Sequence, residues 1–274
     1  MVARMLRLSV SELSTPKWSF EEDVVNYHRA GFNAIGISCQ KLEAYGEEKA
    51  VELLDEYNLQ ISSLSCIGGF TGSNGLSYRQ NILVALDAIQ LAADIGAKNL
   101  VVLAGGRHGH TQNHAKRILR TALKVLAEAA QAVGVQLALE PIHAGCARES
   151  FLNTVPDCLD IIASIDNPNL GITFDSYHLA QDVNALPWLE SIIPYVRLVQ
   201  LGDAKHAPMG EQNRCLLGHG RIPLASIVAL FQQGGYDGFY EIEVLGASVE
   251  HLGYEQILGQ SKRAAFTWQL QAEQ

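Results

Sequence analysis

The feature that most limits what this chain can become is an alternation of short apolar, β-rich runs with longer segments of helical period. It repeats about eight times. Strands are expected near residues 5–10, 34–39, 61–67, 99–104, 136–141, 170–175, 196–202 and 239–245. Helices are expected over 19–29, 47–57, 78–95, 113–133, 155–164, 186–192, 224–233 and 254–270. Glycines follow several of these helices, at Gly31, Gly96, Gly134 and Gly234-Gly235, where a left-handed cap ends a helix. Eight βα units without a long linker favour a closed α/β barrel over an open sheet. The 274 residues sit near the roughly 250 typical of one (β/α)8 TIM barrel, so 1–274 is read as a single domain.

Composition removes several function classes. The chain is 48% hydrophobic and 18% charged, and its apolar runs are strand-sized, so no membrane span is expected. Its start, Met1 to Leu8, enters a strand pattern without the features of a signal peptide, which makes the cytoplasm the expected location. Cys39, Cys66, Cys146, Cys158 and Cys215 are odd in number, lack a Cys-x-x-Cys pair and are read as reduced. A net charge of −9 disfavours nucleic acid as a partner.

Four of the expected strands close on residues that coordinate hard cations. These are Glu140 in Gln136–Glu140, Asp175 in Gly171–Asp175, Gln200 in Val196–Gln200 and Glu243 in Phe239–Glu243. An unpaired buried carboxylate costs several kcal/mol, so something must neutralise this set. In a parallel barrel all strands open on one face, where residues distant in sequence converge. One shared metal site follows, with oxygen donors that suit magnesium or manganese better than a structural zinc. The long loops after strands three, four and seven (68–75, 105–110 and 202–220) are where function is expected.

In order along the chain stand Leu-Glu140-Pro-Ile-His143, Phe-Asp175-Ser-Tyr-His178, Val-Gln200-Leu-Gly-Asp203, Asn-Arg214-Cys-Leu-Leu-Gly218-His-Gly220 and Gly235-Tyr-Asp-Gly-Phe-Tyr-Glu-Ile-Glu243. This series resembles the xylose isomerase-like barrels, which include sugar phosphate isomerases, ketose 3-epimerases, inosose dehydratases and the AP endonuclease family 2 enzymes. The resemblance implies that Glu140, Asp175, Gln200 and Glu243 hold one divalent ion, manganese, magnesium or cobalt. Where the resembling epimerases usually carry histidine, this chain has Gln200, and a hydrogen-bonding role outside the ligand set is the competing reading. Glu140 and Glu243 are implied as the acid/base pair on opposite sides of the substrate. Glu241 competes with Glu243, because residues two apart on a strand share a face.

The same resemblance implies that His178 bonds a substrate hydroxyl and that Arg214 binds substrate, with a solvated surface arginine as the alternative. His143 contacts substrate or caps its loop. Of His108 and His110, one is expected to face substrate and the other solvent. A second metal site there would need further histidines at the second and third strand ends, where Cys39 and Cys66 stand. No phosphate-binding or dinucleotide fingerprint is present, and no nucleophile arrangement is evident.

The expected activity is that of a metal-dependent isomerase or epimerase on a sugar, sugar phosphate or inosose, through an enediolate. A dehydratase using the same site is the first alternative. An AP-endonuclease-like repair enzyme and a non-catalytic barrel stand behind it. The expected partner is a small carbohydrate, and assembly as a dimer or tetramer is left open.

Overall fold

The computed structural model describes residues 5–146, 149–181 and 186–272. Eight strands close into a barrel in chain order: β1 (Arg7–Ser11), β2 (Ala34–Ser38), β3 (Gln60–Gly68), β4 (Asn99–Leu103), β5 (Gln136–Glu140), β6 (Leu170–Asp175), β7 (Val196–Leu201) and β8 (Phe239–Ile242). All neighbours are parallel, and β1 completes the ring by pairing Leu8 with Tyr240 of β8. Every expected strand is present.

The helices between strands start where side chains satisfy their first amides. Ser19 and Glu22 form a reciprocal capping box before Phe20–Arg29, and Ser77 and Gln80 do the same before Tyr78–Asp94. The longest intervening helix, Gln112–Val133, buries Ala115, Leu119, Ala122, Leu123, Leu126, Ala127 and Ala130. That three-to-four spacing makes one continuous stripe against the barrel, and each buried leucine contributes about 1.5–3 kcal/mol.

Two departures from the sequence reading change the course of the chain. Cys39, expected to close a strand, instead opens a helix, Cys39–Tyr45, which Gly46 separates from Glu47–Glu56. The last strand, expected to reach 245, ends at Ile242. Beyond it the Val244 N–H turns to the Ser14 hydroxyl at 3.0 Å instead of continuing the ladder.

The barrel interior changes character along its axis. Ala34, Val101, Leu198 and Phe239 pack together at the end where the strands begin, with the Arg7 guanidinium 3.9 Å from the Phe239 ring centroid. Two residues further along β8, the carboxylate of Glu241 is fully buried and accepts hydrogen bonds from Ser62 and Ser63, each at 2.6 Å. A Cβ at Gly36 would lie 2.2 Å from a Glu241 oxygen, so the glycine on β2 leaves the space this carboxylate occupies.

A second buried polar network ties the ends of β1 and β2. Glu12 is 1% exposed and accepts the Ser38 N–H at 2.7 Å. Asp23, fully buried, accepts from the Thr15 hydroxyl at 2.6 Å and pairs with Lys41. Burial pushes the Glu12 carboxyl up to about 9, helped by its hydrogen bond with Asp23. A carboxyl with a raised folded value binds protons that the unfolded chain has already lost. Its stabilisation is therefore complete below the ordinary value near 4.5 and disappears as pH rises through about 9. Glu12→Gln should remove this dependence. Thermal unfolding at intervals from pH 5 to pH 10 should show the wild type losing stability relative to the variant as pH rises. A constant difference across that range would contradict the assignment.

Candidate metal and substrate site

Glu140 ends β5, Asp175 ends β6, Gln200 lies near the end of β7, and Glu243 stands one residue past β8. Register sets Asp175 beside Gln200 and Gln200 beside Glu241, so Glu243 stands two residues further toward the mouth. All four are nearly out of solvent, at 6%, 0%, 2% and 4% exposure. The expected convergence of the four strand ends is thus present in the barrel mouth.

The cation among them is Arg214, which is 0% exposed and so not the solvated surface residue considered from sequence. It grips Asp175 with both ends of its fork, at 3.1 and 2.7 Å, and donates to Glu243 at 2.7 Å. The guanidinium also lies 4.6 Å from the centroid of the Tyr177 ring. A Cβ at Gly202 would come within 2.3 Å of an Arg214 nitrogen, so glycine is required where the chain leaves β7.

Arg214 belongs to the long loop after β7, and Asp203 organises that loop. The Asp203 carboxylate accepts the N–H groups of Ala204, Gly218, Gly220 and Ile222 at 2.8–3.2 Å. Its own carbonyl accepts the Cys215 N–H at 2.9 Å, which holds the residue next to Arg214. Sequence alone assigns Asp203 no role, although the nearby Gly-His-Gly segment supplies two of the amides it accepts from.

From sequence Glu241 is likewise only a rival to Glu243. Both point inward, as residues two apart must. The Gln200 amide nitrogen donates to Glu241 at 3.0 Å and to Glu243 at 2.9 Å, while its oxygen is buried and has no hydrogen-bond partner among the described residues.

His178, on the short helix Ser176–Leu179, places Nε2 4.0 Å from Glu140 and 3.9 Å from Asp175. Its Nδ1 accepts the His143 N–H at 3.3 Å, which assigns the remaining proton to Nε2. Burial lowers the His178 value to about 4, so the ring is neutral at physiological pH and offers one N–H to the cup. His143 is half-buried, and its Nδ1 accepts the Gly145 N–H at 3.0 Å, the geometry of a loop cap.

Charge in this cup is unbalanced. Glu140, Asp175, Glu241 and Glu243 face one guanidinium. Burial, then the charges of Asp175 and Glu243, hold the Glu140 carboxyl well above its usual range. Glu243 rises to about 7 through burial, against the pull of Arg214. Burial acts to lower Arg214, but Asp175 and Glu243 outweigh it and raise its value. Among the described residues no donor reaches the Glu140 carboxylate within hydrogen-bond distance. Excess carboxylates, an unpartnered amide oxygen, and oxygens of Glu140 and Asp175 within 4.8 Å of one another fit a hard divalent cation.

His108 lies elsewhere. It is exposed, with φ 46°, and together with His110, Phe70, Tyr78 and Arg117 lines a cavity of about 720 Å³. None of the four strand-end residues lines that space. Cys66 is exposed at its surface, yet the protein packed around it, followed by the Glu140 charge, pushes its thiol up to about 12. All five cysteines are free. Among the described residues no helix is long and apolar enough to cross a membrane.

Residues 24–264 match the xylose isomerase-like TIM barrel family. The chain belongs to that family. It is 21% identical over 271 residues to an inosose isomerase of Bacillus velezensis, covering 94% of this chain and 95% of that one. It is 25% identical over 141 residues to a ketose 3-epimerase of Arthrobacter globiformis, covering 51% of this chain and 45% of the relative. The chain likewise spans about half the length of other curated relatives it matches. In fold it is similar to the crystal structure of an IolI protein with a bound zinc atom, with a TM-score of 0.83 at 18% identity, covering 97% of this chain and 99% of that one.

Removing a buried charge's partner costs about 3–5 kcal/mol, because the remaining charge stays buried and unpaired. Arg214→Met should therefore destabilise the metal-free protein by about that much at neutral pH, measured by urea unfolding. A loss below about 2 kcal/mol, the scale of stacking on the buried Tyr177 ring alone, would show that the guanidinium does not hold the cup together.

Proposed function

We propose that the chain is a divalent-metal-dependent isomerase or epimerase acting on a sugar or inosose by proton transfer at the carbon next to a carbonyl. The observation that carries this reading is the set of strand-end carboxylates gathered on a single arginine and left in excess of it. Membership of a family whose curated relatives include an inosose isomerase and a ketose 3-epimerase supports the substrate class.

Glu140, Asp175, Glu243 and the Gln200 oxygen would hold the ion. When bound, such an ion supplies Lewis-acid polarisation of a carbonyl oxygen. The chain's own residues do the rest. Glu243, with its value near neutrality, removes the carbon-bound proton from one face. Glu140, poor in protein hydrogen bonds, returns a proton from the other. The His178 Nε2–H donates to a substrate hydroxyl, and His143 keeps that ring oriented through its own N–H. Arg214 holds Asp175 and Glu243 in place, so its contribution to substrate binding is indirect.

The test begins with the metal. Manganese content after reconstitution should fall strongly in Glu140→Gln and in Asp175→Asn, and full occupancy in both variants would remove the site. Turnover is then followed by proton NMR in deuterated water over ketoses, ketose phosphates and inososes. Deuterium incorporated next to the carbonyl is expected, whereas loss of water would instead mark a dehydratase. With saturating manganese, Glu243→Gln should still bind substrate but lose about 10²-fold or more in turnover. Full turnover there, with loss in Glu241→Gln, would move the chemistry two residues back along β8.

A further inference from the structure

We infer that Glu241 is a positioning residue: from below the cup it turns the Gln200 amide so that its oxygen joins the metal-binding set. This rests on the metal site argued above and adds the reason that a glutamine can serve there.

A primary amide is nearly symmetrical in shape but not in chemistry, with two donors on nitrogen and only acceptor capacity on oxygen. The Gln200 nitrogen lies 3.0 Å from Glu241 Oε1 and 2.9 Å from Glu243 Oε2. Both of its N–H groups are thereby committed to β8. The reverse orientation would set the amide oxygen against two carboxylate oxygens and leave the N–H groups without those acceptors. The oxygen is accordingly turned away from β8, buried and unpartnered among the described residues.

Glu243 alone does not fix this orientation, because its other oxygen is engaged by Arg214 and it is itself a candidate ligand. Glu241 has no such second duty. It is 0% exposed, lies deeper in the barrel, and its Oε2 is fastened by Ser62 and Ser63 at 2.6 Å each. Gly36 leaves the room for it, since a Cβ there would sit 2.2 Å from that oxygen. The chain thus builds a buried carboxylate whose free oxygen faces one thing, the Gln200 nitrogen. The product is an all-oxygen donor set, which favours manganese or magnesium over metals that prefer nitrogen.

Manganese binding to the full chain, measured by isothermal titration calorimetry, separates this role from a purely structural one. In Glu241→Gln the neighbouring amide can present either oxygen or nitrogen, so Gln200 is no longer forced. Manganese affinity should fall about 10-fold or more, with the melting temperature of the metal-free protein maintained. Gln200→Ala should lose a similar factor, and the double variant should lose no more than Gln200→Ala alone, because both changes remove one oxygen. Unchanged manganese affinity in Glu241→Gln, or full additivity in the double variant, would overturn the inference. If Glu241→Gln does not fold, the Ser62→Ala/Ser63→Ala variant carries the test: several-fold weaker binding supports the role and equal binding rejects it. Wild-type protein that binds no manganese removes the metal site and this role with it. Loss of binding in Glu140→Gln beside normal binding in Glu241→Gln removes this role alone.

Discussion

The mouth of this barrel depends on one guanidinium. Among the described residues Arg214 is the only cation that reaches both Asp175 and Glu243, and these carboxylates belong to β6 and the end of β8, which are not neighbours in the sheet. Without it, two anions at the ends of β6 and past β8 would repel across a space of low polarity, where charges interact far more strongly than in water. The long loop after β7, knotted around Asp203, exists in its observed form to bring that guanidinium inward. Tyr177 and Gly202 shape the channel it follows. Fold and site are joined here, because the loop has no regular structure and takes its form from buried charges.

Much of the architecture was legible in the sequence because its signals are local. Apolar runs of strand length, capping residues such as Ser19 and Ser77, and glycines after helices each act within a few residues. The strand ends at Glu140, Asp175 and Gln200 were legible for the same reason: a polar residue closes an apolar run. The helix Cys39–Tyr45 was missed because Gly46 divides what reads as one polar stretch.

The pairings were not legible, because they join residues far apart in the chain. Arg214 is 39 residues from Asp175 and 29 from Glu243, and Glu241 finds Ser62 and Ser63 across 179 and 178 residues. Period-two alternation correctly set Glu241 and Glu243 on one face but could not say that one lies deeper than the other. Only closure of the barrel assigns depth: β8 pairs with both β1 and β7, and Glu241 falls beside Gln200.

The four strand-end donors all come from β5 through β8, whereas β1 through β4 contribute Glu12, Cys66 and the loops that hold His108 and His110. One half of a continuous sheet carries the charge balance, and the other half forms the opposite wall. The loops after β3 and β4, whose His108 and His110 line a space apart from the strand-end residues, can therefore lengthen, shorten or change their side chains without disturbing the electrostatics of the second half. A barrel divided in this way can acquire a new substrate preference by altering one semicircle while inheriting its chemistry intact from the other.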